Sequence, residues 1–558
     1  MKIVIWGTGF NASRFYFGFS HDVVDFFIDN DIGKKEFHGK KVLHPSEISN
    51  WNELFIYVPD NYYEEISKQL CGKGLKEKVN FVKYTIKINL SIDRARKELR
   101  RSINMLKDKS NNWKGSTLCI LQHGRFKQYY ADFLQKLLKN GIRWNVISMA
   151  YWMEENQLSS FFESDTLIGP AFLDPDVLVD MRVLNHDLTG YNEHQLLKFK
   201  KLFECHEYLQ QVAQQIIQYF GGSPMVRDSA EISTAFIFAY FQTMIKEIAP
   251  KRIICWESVS PSSNILTYIC AKQGVPIIYT HPGIVPGTLS FDIGGEMGAS
   301  LPAIYVEKFS KLPINANLHL KSVREVWDFL YISKLNRKVQ PKNNITKLIA
   351  SQTNGNKATI FLAGVHDALS HMIPYTIQSK KLHSPIFDSS YAAMFYLAEL
   401  CKKNGWNLVF KPHPLYLPTA AQRKKLPTNV ILVENGDVNE IIDFADVTIT
   451  ILSATSYNAL IRYKPVVMLG YTQLRGKGCT YEAFEKDKIE DAIKAALENG
   501  FTQEQQDAFL LHMAQCLKYY LYDDLQERPI RYGRPVPKSM EEFYELERLL
   551  KSNVPRKD

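Results

Sequence analysis

At 558 residues the chain is too long for one hydrophobic core, and its length calls for roughly three or four domains. Hydrophobic residues at 45% and charged residues at 23% exclude a disordered polymer. The net charge of +9 is mild over this length: it suits nucleotide phosphates, an acidic glycan or lipid headgroups, and without an arginine-rich stripe or zinc-finger spacing it argues against nucleic acid.

Residues 1–90 read as a small Rossmann-like domain. Met1-Lys2-Ile3-Val4-Ile5 opens a strand rather than a leader peptide. Strand Ile3–Trp6 runs into Gly7-Thr8-Gly9-Phe10-Asn11-Ala12, and a second strand, Val23–Ile28, ends in Asp29. This is a GxGxxA turn with an acidic residue about 20 positions on, in which the glycines admit a phosphate and the carboxylate receives a ribose hydroxyl. Gly7, Gly9 and Asp29 are therefore candidate nucleotide contacts, with a structural or regulatory module as the alternative. The run Phe27-Ile28-Asp29-Asn30-Asp31, followed by Gly39-Lys40-Lys41-Val42 and Pro45-Ser46-Glu47-Ile48, resembles the small Rossmann-like modules attached to bacterial sugar-modifying enzymes.

Residues 91–112 are charged and helix-prone, a connector. From 113 to 330, the predicted strands Thr117–Leu121, Trp144–Met149, Arg252–Trp256 and Pro276–Tyr279 alternate with helical stretches at 192–220 and 229–248. That alternation implies a mostly parallel sheet with ligands at the strand carboxyl ends. The polar, basic segment 331–357 reads as a linker. A second α/β unit spans 358–500, with strands Thr359–Leu362, Asn407–Phe410, Val430–Val433, Val447–Thr450 and Val466–Leu469. Residues 501–558 read as C-terminal helices and a solvated tail. Eight cysteines stand singly with no CxxC pair, the pattern of buried thiols in a reducing compartment. No apolar run approaches the ~18–20 residues that span a bilayer.

The chemistry concentrates in the second unit. Strand Asn407–Phe410 delivers Lys411-Pro412-His413-Pro414. A lysine and a histidine at a strand's carboxyl end neutralise a phosphate, and the prolines stiffen the turn. Strand Val447–Thr450 ends in a hydroxyl-rich turn that opens a helix; Ser453, Thr455, Ser456 and the free amides there make a phosphate seat, or an ordinary helix cap. Between them Glu434 is placed to accept ribose hydroxyls or to cap a helix. Gly364-Val365-His366-Asp367 and Gln122-His123-Gly124-Arg125 end the first strands of the two units, where His366 is a candidate donor contact.

The Lys411–Pro414 segment, the run 445–470 and the segment Gly470–Tyr481 together resemble the capsule polysaccharide biosynthesis family, the KpsC/KpsS-like β-Kdo transferases, over residues 358–485. The resemblance implies an α/β fold: a GT-B-type pair of Rossmann-like domains, here preceded by the small N-terminal one, with the active site in the cleft between the pair. It implies a nucleotide-activated sugar donor (CMP-linked in the named members), no metal and no further cofactor. It places Lys411 and His413 on the family's lysine–histidine pair, and Ser453 and Ser456 on its hydroxyl turn. The partner domain departs from the pattern. In Thr280-His281-Pro282-Gly283, Pro282 stands where the family has its nucleophilic carboxylate. His281 is then a candidate general base on an acceptor hydroxyl, and Asp292, Glu296 and Glu257 are the nearby carboxylates.

The expectation is a metal-independent glycosyltransferase acting on a bacterial capsule or lipopolysaccharide glycan, free or lipid-linked. It would be cytoplasmic, with room for a peripheral contact at the inner face of the inner membrane. Two other readings fit the same residues: transfer of a phosphoryl-type group from a CDP-activated donor, and a non-catalytic assembly or glycan-binding protein.

Overall fold

A computed structural model describes residues 2–8, 12, 16, 24–59, 63–77, 79–84, 88–121, 128–148, 165–170, 173, 177–180, 206–220, 224–315, 319–336, 345–355, 357–414, 416–418 and 420–552. The N-terminal sheet contains β1 (Lys2–Trp6), β2 (Phe26–Ile28), β3 (Glu36–Phe37), β4 (Lys40–Leu43), β5 (Leu54–Pro59) and β6 (Phe81–Tyr84), in the order β3-β4-β2-β1-β5-β6. Only β3 runs antiparallel to its neighbour. Successive β1 side chains face opposite sides of the sheet. Val4 and Trp6 join a cluster with Ile66 and Leu70, whereas Ile5 joins Ala12, Tyr16 and Phe27. Both faces are thus covered, as a parallel sheet requires.

The next strands are β7 (Ile88–Ser91), β8 (Thr117–Leu121), β9 (Asn145–Ser148), β10 (Thr166–Ile168), β11 (Val177–Asp180), β12 (Arg252–Trp256), β13 (Ile277–Pro282) and β14 (Thr288–Asp292). β7 leads into the helix Ile92–Trp113 and pairs in parallel with β11. The others form the middle sheet, in the order β10-β9-β8-β12-β13-β14. The third sheet comprises β15 (Thr359–Ala363), β16 (Asn407–Lys411), β17 (Val430–Leu432), β18 (Val447–Thr450), β19 (Val466–Met468) and β20 (Tyr481–Glu482). Its order is β17-β16-β15-β18-β19-β20, parallel throughout. In both sheets the chain starts in the centre, winds one way, and then reverses, at β8/β12 and at β15/β18. Ligands of open α/β sheets settle outside the carboxyl ends at such points.

The C-terminal segment ties the two sheets together. Helix Gln503–Gln515 buries Phe509 and Met513 in the same cluster as Trp327 and Tyr457. The chain then crosses to the middle sheet, where β21 (Leu521–Asp523) adds antiparallel to β14. Tyr522 and Phe543 pack there on Phe133 and Phe291. The fold is α/β, a GT-B-type pair of Rossmann-like units behind a small Rossmann-like one.

Several elements differ from the sequence expectation. The C-terminal region, read as helical, contains β21; three residues after a tyrosine-rich helix carry no period-two signal, and the strand exists because β14 offers an edge. β14 was not among the predicted strands, yet all five of its residues are buried. β13 continues to Pro282 rather than stopping at Tyr279. The segment 331–357 holds the end of helix Lys321–Ser333 and a further helix, Ile345–Gln352, anchored by the buried pair Ile345 and Ile349. One i,i+4 pair among polar residues is a weak periodic signal. Among the described residues no helix is long and apolar enough to cross a membrane. The seven described cysteines are free thiols, and all but Cys71 are buried.

Candidate functional site

Three of the donor-side candidates, His366, Lys411 and His413, lie where β15 and β16 end. The Gly364 amide donates to the Lys411 carbonyl at 2.8 Å. A Cβ on Gly364 would stand 2.9 Å from the Pro412 Cα and 3.0 Å from the Lys411 oxygen, so only glycine lets the two loops lie together. This approach brings His366 beside His413, ring centroids 5.5 Å apart, and beside Tyr416 at 5.0 Å. From the other half, Tyr219 stacks on His366 at 5.2 Å with 14° between the planes. Lys411 is buried and points its Nζ at the Glu434 carbonyl, 3.4 Å away. Burial lowers its pKa, with Asp437 acting in the opposite direction. A poorly hydrated ammonium in this position gains most from an anionic partner. The Glu434 carboxylate is paired with Arg423 at 2.5 Å, so this edge also carries a guanidinium that the sequence reading missed.

The hydroxyl turn after β18 is internally bonded. Ser453 Oγ donates to Thr455 Oγ1 (2.8 Å) and accepts from the Thr455 amide (3.2 Å), while Ser456 Oγ donates to the Ser453 carbonyl (2.9 Å). These contacts brace the turn that leads into the short helix Thr455–Ile461, whose N-cap Ala454 makes no side-chain capping bond. β15 separates this turn from Lys411 and His413.

On the acceptor side the three carboxylates have different fates. Glu257 adopts φ +68°, and its carboxylate accepts from the amides of Val259 (2.7 Å) and Ser260 (2.8 Å) and from Ser263 Oγ (2.5 Å). Burial raises its pKa against these bonds. Asp292 accepts from the amides of Gly294 (2.7 Å) and Leu301 (2.9 Å), and burial pushes it up to about 7 despite them. Both carboxylates therefore shape backbone turns. Glu296 is the one that reaches His281, with Oε2 and Nε2 3.1 Å apart. The signal for that pairing was the β13–β14 hairpin, which sets His281 opposite Ser290 and returns the chain to Glu296.

Contacts between the halves surround these groups. His371 Nε2 lies 2.8 Å from the Ser258 carbonyl, and its Nδ1 lies 3.1 Å from His383 Nε2. A carbonyl only accepts, so His371 carries its proton on Nε2 and His383 donates from its own Nε2, an assignment from the hydrogen-bond network. Burial lowers the His371 pKa to about 4 and that of His383 well below its ordinary value. Gln215 donates to the carbonyls of Val259 (2.6 Å) and Ala368 (2.5 Å). Lys477 donates to those of Pro302 (3.2 Å) and Val306 (2.8 Å), and burial lowers it to about 8. Tyr219, Tyr416, His371 and His383 were not singled out from sequence; each gains its role only from packing between segments far apart in the chain.

In the N-terminal unit Asp29 is occupied locally. It accepts from the amides of Thr8 and Asp31, both at 2.9 Å, and from the Thr8 hydroxyl, with Lys34 at 3.4 Å. Burial acts to raise its pKa, but the bonds from Thr8 and Asp31 and the Lys34 charge outweigh it, and the net direction is down. Gly7, at φ +104°, donates to the Ile28 carbonyl at 2.6 Å. The carboxylate thus bonds within its own turn. Gly9 and the segment 122–125 lie outside the described residues. Among the described residues no group of three or more histidines, cysteines or carboxylates is placed to hold a metal ion.

Residues 304–515 match the family model described as capsule polysaccharide biosynthesis protein. The family resemblance holds over this segment. No curated protein matches the chain. Solved structures that resemble it include the Thermosulfurimonas dismutans KpsC β-Kdo 2,7 transferase, at 18% identity over 56% of this chain and 90% of that one, with a TM-score of 0.33. The β-Kdo 2,4 transferase of the same KpsC gives 13% identity over 48% and 80%, with a TM-score of 0.34. The Methanocaldococcus jannaschii UDP-GlcNAc 2-epimerase gives 11% over 71% and 99%, with a TM-score of 0.32. The segment that matches the family model contains His366, Lys411, His413, Glu434, Ser453, Thr455 and Ser456. Glu257, His281, Asp292 and Glu296 precede it.

Proposed function

We propose that this chain is a metal-independent glycosyltransferase that moves a sugar from a nucleotide-activated donor to a capsule or lipopolysaccharide glycan. The observation that carries the reading is the meeting of Lys411, His413 and His366 at the carboxyl edge of a Rossmann-order sheet, inside the capsule-family segment. The bond between the anomeric carbon and the donor phosphate breaks, and its electron pair leaves on the phosphate oxygen. Lys411 and His413 meet that charge. His281 takes the proton of the acceptor hydroxyl, whose oxygen forms the new bond to the anomeric carbon. With Pro282 in the nucleophile position and Asp292 and Glu257 bound by backbone amides, one direct displacement replaces the two-step route, and the anomeric configuration inverts. The finer form of the reading is a CMP-linked donor and a lipid-linked acceptor at the inner face of the inner membrane. It rests on the sequence resemblance to the β-Kdo transferases and on the positive net charge.

Assay of sugar transfer tests this directly. His413→Ala is expected to lower transfer about 10²-fold or more, the usual scale for losing a group that meets transition-state charge, with an unchanged circular dichroism spectrum. Magnetic resonance of the product is expected to show an inverted glycosidic linkage without new phosphorus. Undiminished transfer by the variant would overturn the donor assignment, and phosphorus in the product would favour transfer from a CDP-activated donor.

A further inference from the structure

Glu296 is built into the acceptor half by more than its contact with His281. Its second oxygen accepts from the Ser258 amide at 2.8 Å, and its own amide donates to Ser258 Oγ at 3.1 Å. Glu296 is thus tied to Ser258 through both its side chain and its backbone, and it is buried. Gly295, at φ +126°, passes so close that a Cβ there would stand 3.3 Å from Ser258 Oγ. The remaining oxygen meets His281 Nε2 at 3.1 Å, and the His281 side chain is a quarter exposed. Among the described carboxylates nearby, Glu257 and Asp292 accept from backbone amides, and the Ser290 hydroxyl of β14 donates to the His281 carbonyl. A buried carboxylate costs several kcal/mol unless its lone pairs are used, and a turn alone would not need one aimed at an imidazole.

We propose that Glu296 is a positioning residue for sugar transfer, orienting His281 and holding it as the base that accepts the proton of the acceptor hydroxyl. The role rests on the glycosyltransferase reading. An Nε2–H donated to Glu296 leaves the basic lone pair of the neutral ring on Nδ1. The acceptor proton moves to Nδ1 as its oxygen bonds the anomeric carbon, and the adjacent carboxylate stabilises the imidazolium formed.

The test compares wild type with Glu296→Gln and Glu296→Asp. Diethylpyrocarbonate acylation of His281 as a function of pH, followed by peptide mass spectrometry, measures the titration of this ring without a substrate. In Glu296→Gln the midpoint is expected to fall by about one unit or more, the effect of losing an opposite charge within ~4–6 Å. Transfer from a panel of CMP-, UDP- and GDP-linked sugars is expected to fall about 10–10²-fold in kcat, with the acidic limb of the pH profile moving by the same amount. Glu296→Asp keeps the charge and is expected to restore part of both, and it carries the test should the glutamine variant fail to fold. An unchanged His281 midpoint, or transfer with an unchanged pH profile, would overturn the proposal. If wild type transfers none of these sugars, the glycosyltransferase reading and the catalytic role both fall, while the acylation midpoint still reports whether the pair exists.

Discussion

Only a neutral imidazole can hold the place of His371. Its Nε2–H is spent on the Ser258 carbonyl, its Nδ1 accepts from His383, and burial holds it at about 4. The unfolded ring titrates near ~6.5, so between these values the unfolded chain binds more protons than the folded one. Stability from this site is present above the unfolded value and lost as pH falls towards the folded value. His383, also depressed, acts in the same direction. His371→Gln keeps an amide donor for Ser258 and removes one titration. It is therefore expected to narrow the gap between the thermal midpoints at pH 6.5 and 4.5, by an amount on the order of 1–3 kcal/mol in stability. An equal gap in variant and wild type would show that His371 is not the titrating group. The carboxylates teach the same lesson about local surroundings. Glu257, Asp292 and Glu296 lie within one stretch of chain and all accept from backbone amides, yet Glu296 also reaches His281.

Among the elements, the loop between β14 and helix Leu301–Ile304 bears most directly on how the halves meet. A Cβ on Gly298 would stand 1.4 Å from the Leu382 carbonyl and 2.8 Å from that of Tyr471. Both obstacles are backbone, so neither can swing aside. Gly298→Ala is expected to push the halves apart, lowering the thermal midpoint and cutting transfer at least ~10-fold, as misplacement of reacting groups by an ångström does. Gly355→Ala, with nothing within 4 Å of its Cβ, is the neutral control, and equal behaviour of the two variants would refute the contact. Neither sequence pattern nor composition reveals this approach. Buried parallel strands such as β8, β12, β15, β16 and β18 are readable because they are short, continuous apolar runs between helices. β14 folds back on β13 as a hairpin that the sequence reading missed, and β21 adds to β14 by pairing residues more than 200 positions apart, which no local signal marks. The same holds at the site. Lys411, His413 and His366 stand at predictable strand ends, but Glu296 reaches His281 only through the unrecognised hairpin. Asp29 was legible as an acidic residue after a strand, but not as one already bound to Thr8 and Asp31.

At the scale of the whole molecule, the chain starts a second Rossmann-like unit, completes a third, and then returns β21 to the edge of the second. The candidate donor edge at Lys411–His413 and the proposed base His281 therefore belong to different sheets, joined by Gln215, His371, Lys477 and the C-terminal crossing. Tyr219 of one half stacking on His366 of the other places an aromatic face at the boundary, beside the Lys411–His413 loop. The proposed function depends above all on that loop gripping a nucleotide phosphate. Titration calorimetry of wild type and Lys411→Ala against CMP, CDP, UDP and GDP measures this directly. Wild type is expected to bind at least one of the four near one-to-one, and the variant to bind it at least ~10-fold more weakly, a loss of about 1.4 kcal/mol or more. No binding by wild type, or equal affinity in the two proteins, would contradict it.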